Sequence, residues 1–271
     1  MQRQQWLALL AGIAYGLLQG GSAAAGQATI FQDGDGNRTQ VQQSGAAGGS
    51  VTVDQAGSGN QLDVWQLQGT LDAIDARQAG TLNAASLTQS GGGNLLVLRQ
   101  SGSAGTVDVQ QASTSGTAAV FQSSLSAGDR ATLMQSATAP IGVIQQGVVR
   151  TTSASLDAAS EAAAVRSTVL VDAASSRSTA ILQQAGGSGL TGIIVQSGAG
   201  QSASIAQSGS YLEAEIVQAG GAHTASIAQA GAGTATSPYR ASIMQFGAQP
   251  QSFSVQQAAG ASPRVIRVIQ Q

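Results

Sequence analysis

The chain has 271 residues with 36 Gly and 36 Gln, no Cys, one His, eleven Arg as its only strong bases and a net charge of −2. Only 9 % of it is charged and 3 % aromatic, against about 25 % charge in an ordinary globular domain, yet 42 % is hydrophobic, which does not fit simple disorder. These numbers remove disulfide frameworks, thiol chemistry and thiolate metal sites, leave any Ser-His-Asp triad dependent on His223, and argue against nucleic-acid binding, which wants a basic excess.

The first element in chain order is an address. Arg3 supplies a positive start, Trp6 to Leu18 a short apolar run, and Ala23-Ala24-Ala25 an A-x-A cleavage site. That is the layout of a secretory signal peptide over residues 1–25. A spanning helix needs about 20 apolar residues, and this run is shorter. The mature chain is expected to begin near Gly26.

A repeat fills the remainder. The markers are Gln32, Gln43, Gln55, Gln66, Gln78, Gln89, Gln100, Gln111, Gln122, Gln135 and Gln145, then Gln184, Gln196, Gln207, Gln218, Gln229, Gln245, Gln257 and Gln270. Ala158 and Asp172 fall where two further markers would stand, which gives about 21 units of 11 or 12 residues. Two residues before the marker, 20 of the 21 units carry Val, Ile or Leu, Val143 among them; the exception is Ala76. The position before that is mostly polar, and such alternation of period two is the β-strand signal. Two residues after the marker stand Gly34, Gly45, Gly57, Gly80, Gly91, Gly102, Gly147, Gly186, Gly198, Gly209, Gly220, Gly231 and Gly247. Glycine there supplies the positive φ of a tight turn. Asn37, Asn60, Asn83 and Asn94 lie six before a marker and share its face.

Each unit therefore reads as a short strand closed by a turn. Because successive inward positions repeat the same residues, the units are expected to stack like on like. The predicted fold is all-β: a β-solenoid of strand-turn-strand rungs, about ten rungs tall at roughly 4.8 Å each. Repeats run over 26–147 and 181–271, and 148–180 is an irregular charged stretch or insertion carrying Arg150, Asp157, Glu161, Arg166, Asp172 and Arg177. Inward Gln and Asn are costly unless hydrogen-bonded; stacked in register they bond to the copies above and below, as in cross-β amide ladders. The marker Gln and the four Asn are the expected ladder. The rod would end in open strand edges, which template further chains.

The pattern aliphatic-x-Gln-x-Gly, clearest at Gly36-Asn37-Arg38-Thr39-Gln40-Val41-Gln42-Gln43-Ser44-Gly45 and Ala203-Ser204-Ile205-Ala206-Gln207-Ser208-Gly209, resembles the curlin repeat of bacterial curli, a secreted functional amyloid. The last segment, with Arg264 and Arg267, looks most like the minor curlin subunit, the nucleator, with the major subunit as the alternative. The resemblance implies a structural subunit of extracellular, pilus-like fibres, reached through the periplasm and a dedicated outer-membrane secretion pore with accessory factors. It implies self-association, association with other curlin subunits, roles in biofilm matrix and adhesion, and surface anchoring or nucleation by Arg264 and Arg267. It implies neither enzyme activity nor a cofactor.

Other signals are weaker. Asp33-Gly34-Asp35-Gly36-Asn37 hints at a calcium loop, but Arg38 and Ser44 stand where that loop needs Gly and Glu. Gly187-Ser188-Gly189-Leu190-Thr191-Gly192 satisfies G-x-G-x-x-G without a following helix. His223 stands in the inward Asn slot, and Phe31, Trp65 and Phe121 fall on the outward face. Charge over 148–180 reads as a brake on stacking or as solvated irregular rungs. Arg240, Arg264 and Arg267 make a local charge of +3, suited to an anionic surface or to a capping rung. Two other classes compete with the fibre: a monomeric secreted solenoid serving as an adhesin or ligand-binding module, and a β-helix enzyme, for which the acids are too scattered.

Overall fold

A computed structural model describes residues 13–19, 26–147, 175–258 and 265–271. In chain order the strands are β1 (Ile13–Gln19), β2 (Gln27–Asp33), β3 (Arg38–Ala47), β4 (Ser50–Ala56), β5 (Gln61–Thr70), β6 (Ala73–Gln78), β7 (Ala84–Gly92) and β8 (Leu95–Gln100). Then follow β9 (Thr106–Thr114), β10 (Thr117–Gln122), β11 (Ser126–Ala127), β12 (Arg130–Thr138), β13 (Ile141–Gln146), β14 (Ser175–Ser176) and β15 (Thr179–Ser188). The last are β16 (Thr191–Ala199), β17 (Ser202–Ser210), β18 (Leu212–Gly220), β19 (Thr224–Ala232), β20 (Tyr239–Gly247), β21 (Ser252–Gln257) and β22 (Val265–Gln270).

The strands alternate between two parallel sheets. One runs β1-β3-β5-β7-β9-β12-β15-β17-β19-β21, the other β2-β4-β6-β8-β10-β13-β16-β18-β20-β22, with the short β11 and β14 at its margin. This is a β-solenoid, each rung one strand from each sheet. Twenty long strands build the two stacks; nineteen of them, all but β1, carry a marker Gln, against the roughly 21 units read from the sequence. Pairing is in register: Ser202 to Ser210 of β17 meet Thr224 to Ala232 of β19 residue for residue.

Alternation decides the core. Strand β3 reads exposed, buried, half-buried, buried from Arg38 onward, so Thr39, Val41 and Gln43 point inward. The inward aliphatics of both sheets form one continuous cluster from Val41 to Val255. Ala76, the exception to the aliphatic rule, belongs to it and is fully buried. Volumes compensate across the sheets: a Cβ added to Gly192 would lie 2.8 Å from Cδ1 of Leu182, so the bulk of β15 fills the space that β16 leaves.

All thirteen turn glycines read from the sequence have positive φ. Crowding adds to the demand for glycine: a Cβ on Gly57 would come within 2.1 Å of the Gly80 carbonyl oxygen in the next rung. A second left-handed position recurs just before most strands and is not confined to glycine. Leu71, Leu82, Ala104, Ser115, Ala139, Arg177 and Tyr211 all adopt it.

Two features depart from the expected pattern. Strand β12 pairs directly with β15, and β13 with β16, so no rung stands between them. Ala158 and Asp172 lie outside the described residues, as does 148–174 of the irregular stretch; residues 175–180 enter β14 and β15. Second, the outer face of the second sheet is apolar midway along the rod. Val97, Ala119, Val143, Ile193, Val195, Val217 and Met244 form a separate buried cluster there, with Phe121 packed against it. Phe31 is exposed on the same face and Trp65 is half-buried on the outer face of the other sheet.

Candidate functional site

The inward glutamines form two unbroken columns. In the second sheet, Nε2 of Gln32 donates to Oε1 of Gln55 at 2.6 Å, and the chain continues through Gln78, Gln100, Gln122, Gln146, Gln196, Gln218 and Gln245 to Gln270. In the first sheet, Gln43 donates to Gln66, followed by Gln89, Gln111, Gln135, Gln184, Gln207, Gln229 and Gln257. Most partners are 22 to 24 residues apart, one rung of chain, but Gln135 and Gln184 are 49 apart and bond at 2.8 Å. Every column amide donates in the same direction, toward the C-terminal rung.

The second N–H of many of these amides crosses to the other sheet. Gln66 donates to the Asp72 carbonyl at 2.9 Å, Gln78 to that of Gln61 at 3.1 Å, and Gln207 to that of Leu212 at 2.9 Å. The columns thus stack the rungs and tie the two sheets together. Most column amides thus have both donors used, as burial demands; Gln145, outside the columns, is buried with neither Nε2 nor Oε1 partnered.

One expected ladder member is misplaced. Strand β13 puts Gln146, not Gln145, in register with Gln122 and Gln196. Ile144 is therefore the inward aliphatic, and Val143 and Gln145 face outward into the second apolar cluster. Adjacent Gln residues gave two possible registers, and only the one placing Ile144 over Val120 and Ile194 keeps the core continuous.

The asparagines do a different task from the expected ladder. They stand at the corners before β3, β5, β7 and β8 and clamp backbone rather than stack amide on amide. Nδ2 of Asn37 donates to the carbonyls of Asp33 and, in the next rung, Gly57. Asn60, Asn83 and Asn94 repeat this with the carbonyl four residues back and one a rung ahead. Their Oδ1 accepts the backbone N–H of the next corner residue, as from Asn60 to Asn37 at 3.0 Å. One amide-to-amide bond occurs, Asn60 to Asn37 at 3.2 Å. Gln201 makes the same clamp. So does His223, whose Nε2 lies 3.2 Å from the Ala219 oxygen and 3.1 Å from that of Gly247, two acceptors that require the proton on Nε2.

Two corners hold acids instead. Asp72 and Asp129 are buried, and burial raises both carboxyls above the ordinary range. Hydrogen bonds oppose the rise, from Asn94 to Asp72 and from the Ser178 N–H and the Ser175 and Ser126 hydroxyls to Asp129. An ionised carboxylate cannot donate to the carbonyls that an asparagine amide clamps.

Among the described residues the second sheet ends in strands paired on one side only, β2 and β22. Ile30 at one end and Ile266 and Val268 at the other are only partly buried against the core. Oε1 of Gln32 is buried without a hydrogen-bond partner, while Gln270 accepts from Gln245 at the last rung. Phe31, Val265 and Ile269 are exposed beside them. Arg267 lies in β22, with Nη2 3.8 Å from Sδ of Met244. Arg264 lies outside the described residues. Arg240 pairs with Glu213 at 2.8 Å, so the expected +3 patch is partly neutralised within the fold. Arg77 with Asp54 and Arg99 with Asp75 make the other described ion pairs, all on the outer face of the second sheet.

No protein-family model matches the chain, and no curated protein matches it in sequence.

Two predictions follow from the columns and corners. Replacing Gln100 by Leu strands a donor of Gln78 and an acceptor of Gln122, each costing about 1–3 kcal/mol. Urea unfolding should show Gln100→Leu far more destabilised than Gln270→Leu, which breaks one bond at a half-exposed end. For Asp72 and Asp129 the folded carboxyl titrates above the unfolded one, so the fold binds the proton more tightly. Stability is then greatest below the unfolded carboxylate range and falls as pH rises through the raised folded values. Asp129→Asn should flatten that fall and raise the neutral-pH melting temperature, read by circular dichroism across a pH series.

Proposed function

We propose that the chain is an exported structural subunit of curli-like extracellular fibres, one that nucleates or anchors their growth at the cell surface. The observation that carries this reading is the open column: Oε1 of Gln32 is buried and unpartnered, and an identical amide above it is the natural donor. Half-buried Ile30, Ile266 and Val268 ask for the same thing, a further rung. A rod meant to remain single would cover such edges.

The leader over residues 1–25 and the curlin-like repeats support export through the periplasm and an outer-membrane pore with accessory factors. The partners in this reading are further copies and other curlin subunits. Biofilm matrix and adhesion are the roles that follow, with Arg264 and Arg267 as anchoring groups. The columns are structural, so the reading assigns no catalytic residue and no cofactor.

Purified chain should form fibres with a meridional reflection near 4.7–4.8 Å, and trace amounts should remove the lag of a curlin's polymerisation. A chain that sediments as a monomer, gives no cross-β pattern near neutral pH and leaves the lag unchanged contradicts the fibre reading. That result would favour a monomeric secreted adhesin.

A further inference from the structure

The two sheets do not begin at the same height. The column of the second sheet starts at Gln32 in β2, while that of the first starts one rung later, at Gln43 in β3. The place before β3 is a strand-wide position flanked by β2. In this structure β1 occupies it, parallel to β3, with Ile13 opposite Arg38 and Gln19 opposite Ser44.

Strand β1 matches the position in backbone but not in sequence. Its register puts Leu18 opposite Gln43 and Gly16 opposite Val41. Every other neighbour in that sheet brings Gln to the first of these positions and a branched aliphatic to the second, as β5 does with Gln66 and Val64. Leu18 carries no amide to donate, and Oε1 of Gln43 is buried without a partner. Gly26 completes the wall of the position, since a Cβ there would lie 2.7 Å from Nε2 of Gln43.

We propose that this position is a strand-acceptor slot for β21 of a second copy of the chain, and that residues 13–19 hold it closed until they are removed. Strand β21 carries Val255 and Gln257 at the spacing of Val41 and Gln43. Its parallel seating follows the equivalence already seen between β19 and β21, where Ile227 meets Val255 and Gln229 meets Gln257. Gln257 then supplies the donor that Leu18 lacks. Main-chain bonds give such strand addition its affinity, and the matched side chains give its specificity.

Seating β21 there makes β2 of one copy and β22 of the other compete for a single position in the second sheet. Among strands whose burial is described, these two alone contain no buried residue. One of them can therefore leave at small cost, and the joint closes without a gap. The release of the slot rests on the exported-subunit reading, in which a cut after Ala25 removes β1. Before the cut the growing end is blocked; after it, the end is open.

The test uses the full 271-residue chain, kept uncut by cytoplasmic expression, and a fluorescent peptide of residues 251–258. The variant Ala14→Pro/Leu17→Pro removes backbone donors of both parities from β1, so pairing with β3 fails whichever parity faces it. The peptide should bind this variant at least tenfold more tightly than the unaltered chain. A Gln257→Leu peptide should bind the variant at least tenfold more weakly than the native peptide. Hydrogen exchange supplies a second readout: β3 amides should be protected in the unaltered chain, exchange faster in the variant, and regain protection with peptide, while amides of β7 to β19 stay protected throughout. Equal affinity for both chains, equal affinity of the two peptides, or β3 amides equally open in both chains overturns the proposal. The fibre reading fails separately, on absent cross-β diffraction, and peptide binding does not depend on that result.

Discussion

A primary amide buried in an apolar core has two donors and one acceptor to satisfy, and most of this structure follows from how that is done. Burying such a group without partners costs several kcal/mol in hydrocarbon-like surroundings. Here the column Gln amides use one donor for the identical residue in the next rung and, in many rungs, a second for the opposite sheet. An identical neighbour is the partner that fits both roles at one rung's spacing. Register, parallel direction and the two-sheet cross-section are all constrained by that single requirement. A slip by one residue would bury outward side chains and expose the amides together.

The corners obey a similar rule with a shorter reach. Asn37, Asn60, Asn83 and Asn94 clamp carbonyls, and Gln201 and His223 substitute because each can present an N–H at the same place. Asp72 and Asp129 bring acids to two other corners, and burial shows its cost there in their raised carboxyls. Glycine enters where the next rung's carbonyl leaves no room for a Cβ, as at Gly57. The scarcity of charge, the wealth of Gln and the wealth of Gly are thus consequences of stacking one rung many times.

Much of this was legible in the residues themselves. Inward aliphatics, marker glutamines and turn glycines repeat at fixed offsets, and alternation assigns their faces without reference to distant parts of the chain. What was not legible depends on information outside one unit. Gln145 and Gln146 are adjacent, and only the stacking of Ile144 between Val120 and Ile194 chooses between them. The left-handed corner at Leu71 and Leu82 is hidden because local propensity favours glycine there, while the stack imposes the geometry on leucine. The direct pairing of β12 with β15 cannot be read from a stretch that keeps aliphatics at the expected spacing. The apolar outer cluster around Val195 arises only when strands from distant parts of the chain lie side by side.

Side-chain amide exchange of glutamine probes the stacked columns themselves. With Gln-selective isotope labelling, the amides of the column residues, Gln66, Gln100 and Gln207 among them, should exchange orders of magnitude more slowly than those of the exposed Gln110, Gln183 and Gln256. Uniformly fast exchange across all glutamines would contradict the stacked amide columns, and with them the reason given for why this sequence folds.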